Sequence, residues 1–143
     1  MKFQNCLFLI LLIVCLSCQS KKTDKQTGID STLFYTNPVI GGGSEPWAIF
    51  HEGKYYYTQS LADCIILWET DDITQLAEAA KKNVYSPQNG SGISHLWGPE
   101  IHYMDNKWYI YCAADDGNID NRQIYVLENE SPDHMKGEFV MKG

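Results

Sequence analysis

The chain has 143 residues and a formal net charge of −7, and no lysine or arginine run occurs outside residues 19–31, so nucleic acid is excluded as an expected partner. Of five cysteines only Cys64 and Cys112 lie beyond residue 18. The histidines His51, His95, His102 and His134 fall in no His-x-x-x-His or Cys-x-x-Cys spacing, so no zinc site is expected.

At the amino end Lys2 precedes the apolar run Leu7–Leu16 and the pair Ser17-Cys18. A positive start, a short hydrophobic segment and a small residue before a cysteine read as an export signal over residues 1–18. The run is about half of the ~20 residues that a membrane-spanning helix needs. The pattern resembles a bacterial lipoprotein signal, although Cys15 stands where that motif usually has leucine. That resemblance implies a lipid anchor on Cys18 as the first mature residue, with ordinary secretion as the alternative; either way the protein is exported, periplasmic or at the cell surface. Residues 19–31 are polar and lysine-bearing, which suits a flexible tether.

Residues 32–143 contain a repeat. Pro46-Trp47-Ala48-Ile49-Phe50-His51-Glu52-Gly53-Lys54-Tyr55-Tyr56-Tyr57 returns in outline 53 residues later as Pro99-Glu100-Ile101-His102-Tyr103-Met104-Asp105-Asn106-Lys107-Trp108-Tyr109-Ile110. Each copy is an apolar strand, a two-residue turn and an aromatic strand, a hairpin signal. A third strand follows in each copy, Ile65–Glu69 and Ile124–Glu128, at an offset of 59, so the second copy carries an insertion placed in the 113–122 loop. Hairpins at this interval predict an all-β fold of propeller blades, about four strands each. Propellers usually have about 4 to 8 blades, so the chain reads as the amino-terminal two blades of a larger wheel.

In chain order, the glycine-rich loop 37–44 leads into strands at about 47–51, 54–59 and 64–70; it lacks the spacing of a phosphate loop. Residues 72–82 are expected as a weak helical turn or loop, 83–86 as an outer strand and 87–96 as a polar crossing. Strands at about 100–104, 107–113 and 123–128 follow. Tyr55, Tyr56, Tyr57, Trp108, Tyr109 and Tyr111 are expected to pack between blades. Cys64 and Cys112 lie in or beside these strands and are expected as free thiols, small hydrophobes in effect. Asp115, Asp116, Asn118, Asp120 and Asn121 have the composition of a calcium loop without its Asp-x-Asp-x-Asp-Gly pattern, so a solvated turn is expected there. Asn121-Arg122 is a further candidate for a pocket rim.

Asn37-Pro38-Val39-Ile40, Ser44-Glu45-Pro46-Trp47, Gly53-Lys54-Tyr55-Tyr56-Tyr57, Trp97-Gly98-Pro99-Glu100-Ile101-His102-Tyr103, Lys107-Trp108-Tyr109-Ile110-Tyr111 and Ala113-Ala114-Asp115-Asp116-Gly117 together resemble the first blades of glycoside hydrolase family 43. The resemblance implies a five-bladed β-propeller. It also implies inverting hydrolysis of arabinofuranosyl or xylosyl links in arabinose- or xylose-containing oligo- and polysaccharides. In that family the general base is an aspartate just before the proline that opens the first strand; the position here is Glu45, one methylene longer. By resemblance Glu45 is the base candidate, against a plain loop-capping role. Glu100, after Trp97-Gly98-Pro99 where the family usually has Trp-Ala-Pro, is a sugar-contact candidate, against a structural hydrogen bond. Trp47 and Trp97 are candidates for stacking on a sugar ring, against burial in the core. The family's proton donor belongs to later blades, so none is assigned here and the two blades alone are expected to be inactive. No cofactor is required, and a structural calcium is admissible in the full-length protein. The rival expectation is a non-catalytic glycan-binding propeller.

Overall fold

The computed structural model describes residues 35–143 except Ala62. The proposed signal, the Cys18 anchor and the tether lie outside the described residues. Among those residues, no helix is long and apolar enough to cross a membrane.

The architecture is all-β, two four-stranded antiparallel sheets each in sequential order. Sheet 1 contains β1 (Ser44–His51), β2 (Lys54–Leu61), β3 (Cys64–Thr70) and β4 (Ala80–Tyr85). Sheet 2 contains β5 (Ser94–Met104), β6 (Lys107–Asp115), β7 (Gln123–Asn129) and β8 (Val140–Met141). The repeat is a register fact: Trp47 pairs with Thr58 in sheet 1 as Glu100 pairs with Tyr111 in sheet 2. The hairpins close where Glu52-Gly53 and Asp105-Asn106 predict, and all four residues have positive φ. That is the backbone a type I′ turn demands, and its twist matches that of the flanking strands. The insertion in the second copy lies between β6 and β7, where a 3₁₀ turn at Ile119–Asn121 sits.

Several boundaries differ from the sequence expectation. β4 starts at Ala80, inside the stretch expected as a turn, because Lys81 and Lys82 pair with Trp68 and Leu67. Only Ile73–Glu78 forms the turn, capped by Asp72 and anchored by buried Leu76. β5 begins at Ser94, within the expected crossing, since Ser94 pairs with Asp115 beyond two bulges. The short β8 pairs through Leu127 and Glu128; a fourth strand follows from the expectation of about four strands per blade, but the sequence pattern assigns no residues to it.

The sheets pack face to face. Ile65, Leu67 and Tyr56 of sheet 1 join Ile101, Trp108, Ile110 and Leu127 of sheet 2 in one buried cluster. Trp108 is its hub: its ring lies 4.6 Å from that of Tyr56, 4.8 Å from Tyr103 and 4.7 Å from His134. Polar ties cross the same interface. Thr58 Oγ1 donates to Pro99 O at 2.6 Å, and Lys82 Nζ donates to Gly137 O at 2.7 Å. His134 Nε2 lies 2.9 Å from Glu69 Oε2 without hydrogen-bond alignment, while Glu69 Oε1 pairs with Lys54. A smaller cluster of Tyr57, Trp68 and Leu76 covers the other face of sheet 1, with Val39 and Ile40 of the glycine-rich loop packed on it. Cys64 and Cys112 are free thiols, and burial pushes the Cys112 thiol up to about 11.

Candidate active site

β1 opens with a bulge between Ser44 and Trp47, and Glu45 occupies it with φ of 53°. For a side chain other than glycine this left-handed backbone is strained by roughly 1–3 kcal/mol, a state that tends to concentrate at functional positions. β5 has a bulge at the same place in the repeat, between Trp97 and Glu100, where Gly98 also has φ of 53°. The two bulges face one another: the Gly98 N–H donates to Glu45 Oε2 at 2.6 Å. This bond fixes the direction of the carboxylate, and Oε1 has no hydrogen-bond partner among the described residues. Following each bulge is a proline, Pro46 or Pro99, which needs no ladder partner for a missing N–H at an edge strand.

Glu45 reaches over a cavity of about 270 Å³ on the face of sheet 2 turned away from sheet 1. Trp97 and Glu100 of β5, Tyr111 and Ala113 of β6, and Arg122 and Ile124 after the inserted loop line it. Their common face follows from register, since Trp97 pairs with Ala113, Glu100 with Tyr111 and Ala113 with Ile124. The Arg122 guanidinium lies over the Trp97 ring at 4.2 Å from its centre, a cation–π contact at the cavity wall. Glu100 is exposed, 3.5 Å from His102 Nε2.

Of the four candidates read from the sequence, the fold brings Glu45, Trp97 and Glu100 to one cavity. Trp47 does not line it. Its Nε1 donates to Ile101 O at 3.2 Å and its ring packs on His102, so it belongs to the seam between β1 and β5. Among the aromatics expected between blades, Tyr56 and Trp108 lie between the sheets, whereas Tyr111 goes to the cavity. Arg122 lines the rim, whereas Asn121 turns back to Asp116 Oδ2 at 2.9 Å.

The aspartate-rich loop is only partly the solvated turn its composition implies. Asp116 spends its oxygens on Asn118 N and Asn121 Nδ2, which holds its carboxyl below the usual range. Asp115, by contrast, is buried at the end of β6 and bonded to His95, a partner twenty residues earlier that no local pattern discloses. Among the described residues no group of three or more His, Cys, Asp or Glu side chains converges as metal ligands.

The described residues thus form an all-β protein of two face-packed antiparallel sheets, with a carboxylate on a left-handed backbone beside a cavity lined by aromatic and acidic side chains. Residues 35–143 match the model for Glycosyl hydrolases family 43, and the chain belongs to that family. It is 32% identical over 118 residues to an extracellular exo-α-(1→5)-L-arabinofuranosidase of Streptomyces avermitilis, a match covering 78% of this chain and 24% of the relative. A protein of the same description from Streptomyces chartreusis is 33% identical, with 76% of this chain and 35% of the relative covered. The crystal structure of an α-L-arabinofuranosidase from Lactobacillus brevis superposes with a TM-score of 0.69 at 31% identity, covering 76% of this chain and 38% of that one. The chain thus spans about a quarter to a third of the length of these curated relatives.

Proposed function

We propose that the protein is an exported glycosidase that hydrolyses α-L-arabinofuranosyl links in arabinose-bearing polysaccharides with inversion, using Glu45 as the general base. The observation that carries this reading is the Glu45 bulge: a strained, oriented carboxylate over a cavity walled by half-buried Trp97. The relatives' names, arabinofuranosidases and in two cases extracellular, supply the substrate class and support export. Residues 35–143 would be the first two blades of a five-bladed wheel. The next blade would pack on sheet 2 clear of the cavity, beside Tyr109, and the lipidated Cys18 would tether the whole to a membrane surface.

Inversion requires a carboxylate that takes a proton from water as the water attacks the anomeric carbon, and a protonated carboxyl across the sugar that donates to the leaving oxygen, about 6.5–9.5 Å away. Glu45 supplies the first. With Oε2 held by Gly98, Oε1 is the oxygen that accepts the water proton. For the longer side chain to bring its carboxylate to the place an aspartate would reach, the backbone at the bulge has to take up the extra methylene. Trp97, steadied by Arg122, offers an apolar face for the sugar ring, and Glu100 offers an acceptor for its hydroxyls. The proton donor is assigned to a later blade, so residues 35–143 alone are inactive.

One observation favours a second reading, a glycan-binding propeller that does not cut: the Gly98 bond occupies one oxygen of the longer carboxylate. Full-length protein assayed on aryl arabinofuranoside and aryl xyloside beside Glu45→Asp and Glu45→Ala separates the two. The hydrolase reading expects wild-type turnover on the arabinofuranoside and a loss of about 10²–10⁴-fold in Glu45→Ala, the usual worth of a general base. A silent wild type with activity gained in Glu45→Asp establishes the binder.

A further inference from the structure

β5 carries a second strained residue just before the cavity. His95 has φ of 48° in the bulge between Ser94 and Trp97, and its side chain is 56% exposed. Its Nδ1 lies 2.9 Å from Asp115 Oδ1, and Asp115 is only 1% exposed. A carboxylate only accepts, so the bond places a proton on Nδ1 and leaves Nε2 as the ring nitrogen free to meet a ligand. Asp115 is itself held by the Gly117 N–H at 2.8 Å, while its Oδ2 is buried without a partner among the described residues. The imidazole sits 5.5 Å from the Trp97 ring, at a 44° tilt, and Trp97 is a wall of the Glu45 cavity.

These features are hard to explain as packing. An exposed histidine gains nothing from a left-handed backbone, and a buried aspartate with one orphan oxygen is a poor core residue. Together they do one thing well, which is to hold an imidazole in a single tautomer beside the tryptophan at the cavity rim. We propose that His95 is a substrate-binding residue that hydrogen-bonds a sugar hydroxyl through Nε2, and that Asp115 is the residue that positions it. The inference rests on the reading of the Glu45 cavity as a glycan site. Nothing in the repeat marks the pair, because sheet 1 has Gly42 where the 53-residue offset places His95.

The test is calorimetric binding of arabinotriose and xylotriose to the full-length Glu45→Gln protein, in which turnover is suppressed. His95→Asn is the chosen variant, because asparagine accepts a left-handed backbone and keeps the bulge. It is expected to weaken binding of the preferred trisaccharide by about tenfold. Asp115→Asn is expected to weaken it by a smaller factor, and the double variant to bind no worse than His95→Asn alone, since Asp115 acts only through His95. Unchanged binding in His95→Asn with an intact near-ultraviolet dichroism spectrum overturns the proposal, as do losses that simply multiply in the double variant. If His95→Asn fails to fold, His95→Gln carries the same comparison. Should neither sugar bind any form, the glycan site falls and this inference with it. Should Glu45→Ala retain full turnover while His95→Asn weakens binding, only the assignment of the base falls.

Discussion

The two sheets share a repeat yet are buried differently. β2 is buried at five consecutive positions, Tyr56–Ser60, because sheet 1 is covered by sheet 2 on one face and by Leu76 and the glycine-rich loop on the other. β6 alternates: Trp108, Ile110, Cys112 and Ala114 are buried against sheet 1, while Lys107, Tyr109, Tyr111 and Ala113 are half-exposed. The cavity lies on that half-open face, and the residue hung over it comes from the fully covered sheet. The same bulge serves both, with glycine where only backbone geometry is needed and glutamate where a carboxylate is presented. Glu45 holds a left-handed backbone at a position where its own repeat uses glycine, and this contrast is what motivates its proposed role as the base.

Giving β1 the residue that β5 has is therefore the sharpest test of the contrast. Glu45→Gly in the full-length protein is expected to lower kcat by about 10²–10⁴-fold. Its melting transition should move little, because relief of the left-handed strain, about 1–2 kcal/mol, roughly offsets the lost bond to Gly98. A large fall in stability would mean the glutamate is structural.

The next contrast is between Trp108 and its counterpart Tyr55. Trp108→Ala is expected to destabilise by about 3–5 kcal/mol, the range for removing a buried large aromatic. Tyr55 lies at a strand end beside exposed Phe50, and Tyr55→Ala should lose under about 1 kcal/mol. Equal losses in urea unfolding would break the picture of an interface centred on Trp108. A smaller effect is expected from Gly98→Ala. An added methyl meets no atom within 4 Å, so the expected loss of about 1–2 kcal/mol is wholly backbone strain at φ of 53°.

The hairpins were legible because Gly53, Asp105 and Asn106 are residue types that tolerate positive φ, and the core because Ile65, Leu67, Ile101 and Ile110 recur at strand spacing. Glu45 was found by the proline beside it. What escaped was set by bulges and distant pairs. Two bulges in β5 hide its true start behind a polar stretch, β8 is too short to show a period, and Lys82 reads as a turn residue until its amine finds the carbonyls of Met135 and Gly137. Trp47 and Trp97 look alike in sequence, yet the register sends one into the seam and the other to the cavity.

The smallest expected effect concerns the strap that binds sheet 2 onto sheet 1. Burial holds the His134 imidazole below its ordinary 6.5, outweighing Glu69 and Asp133, which act in the opposite sense. The folded state thus favours the neutral ring, while the unfolded chain takes up a proton near pH 6.5. Stability from this group is full above about pH 6.5 and is lost as pH falls toward the lower folded value. Urea midpoints should drop between pH 7.5 and 5.5 in the wild type, and less so in His134→Gln; identical slopes would remove His134 as the cause.

The base assignment is tested most directly by chemical rescue of full-length Glu45→Gly on nitrophenyl arabinofuranoside. Azide needs no base: it forms the bond to the anomeric carbon as the bond to nitrophenolate breaks, and the anion leaves without a proton. The account predicts turnover that rises with azide and an arabinofuranosyl azide of anomeric configuration opposite to the substrate, seen by proton NMR. Undiminished hydrolysis without azide, or a product of retained configuration, would contradict it.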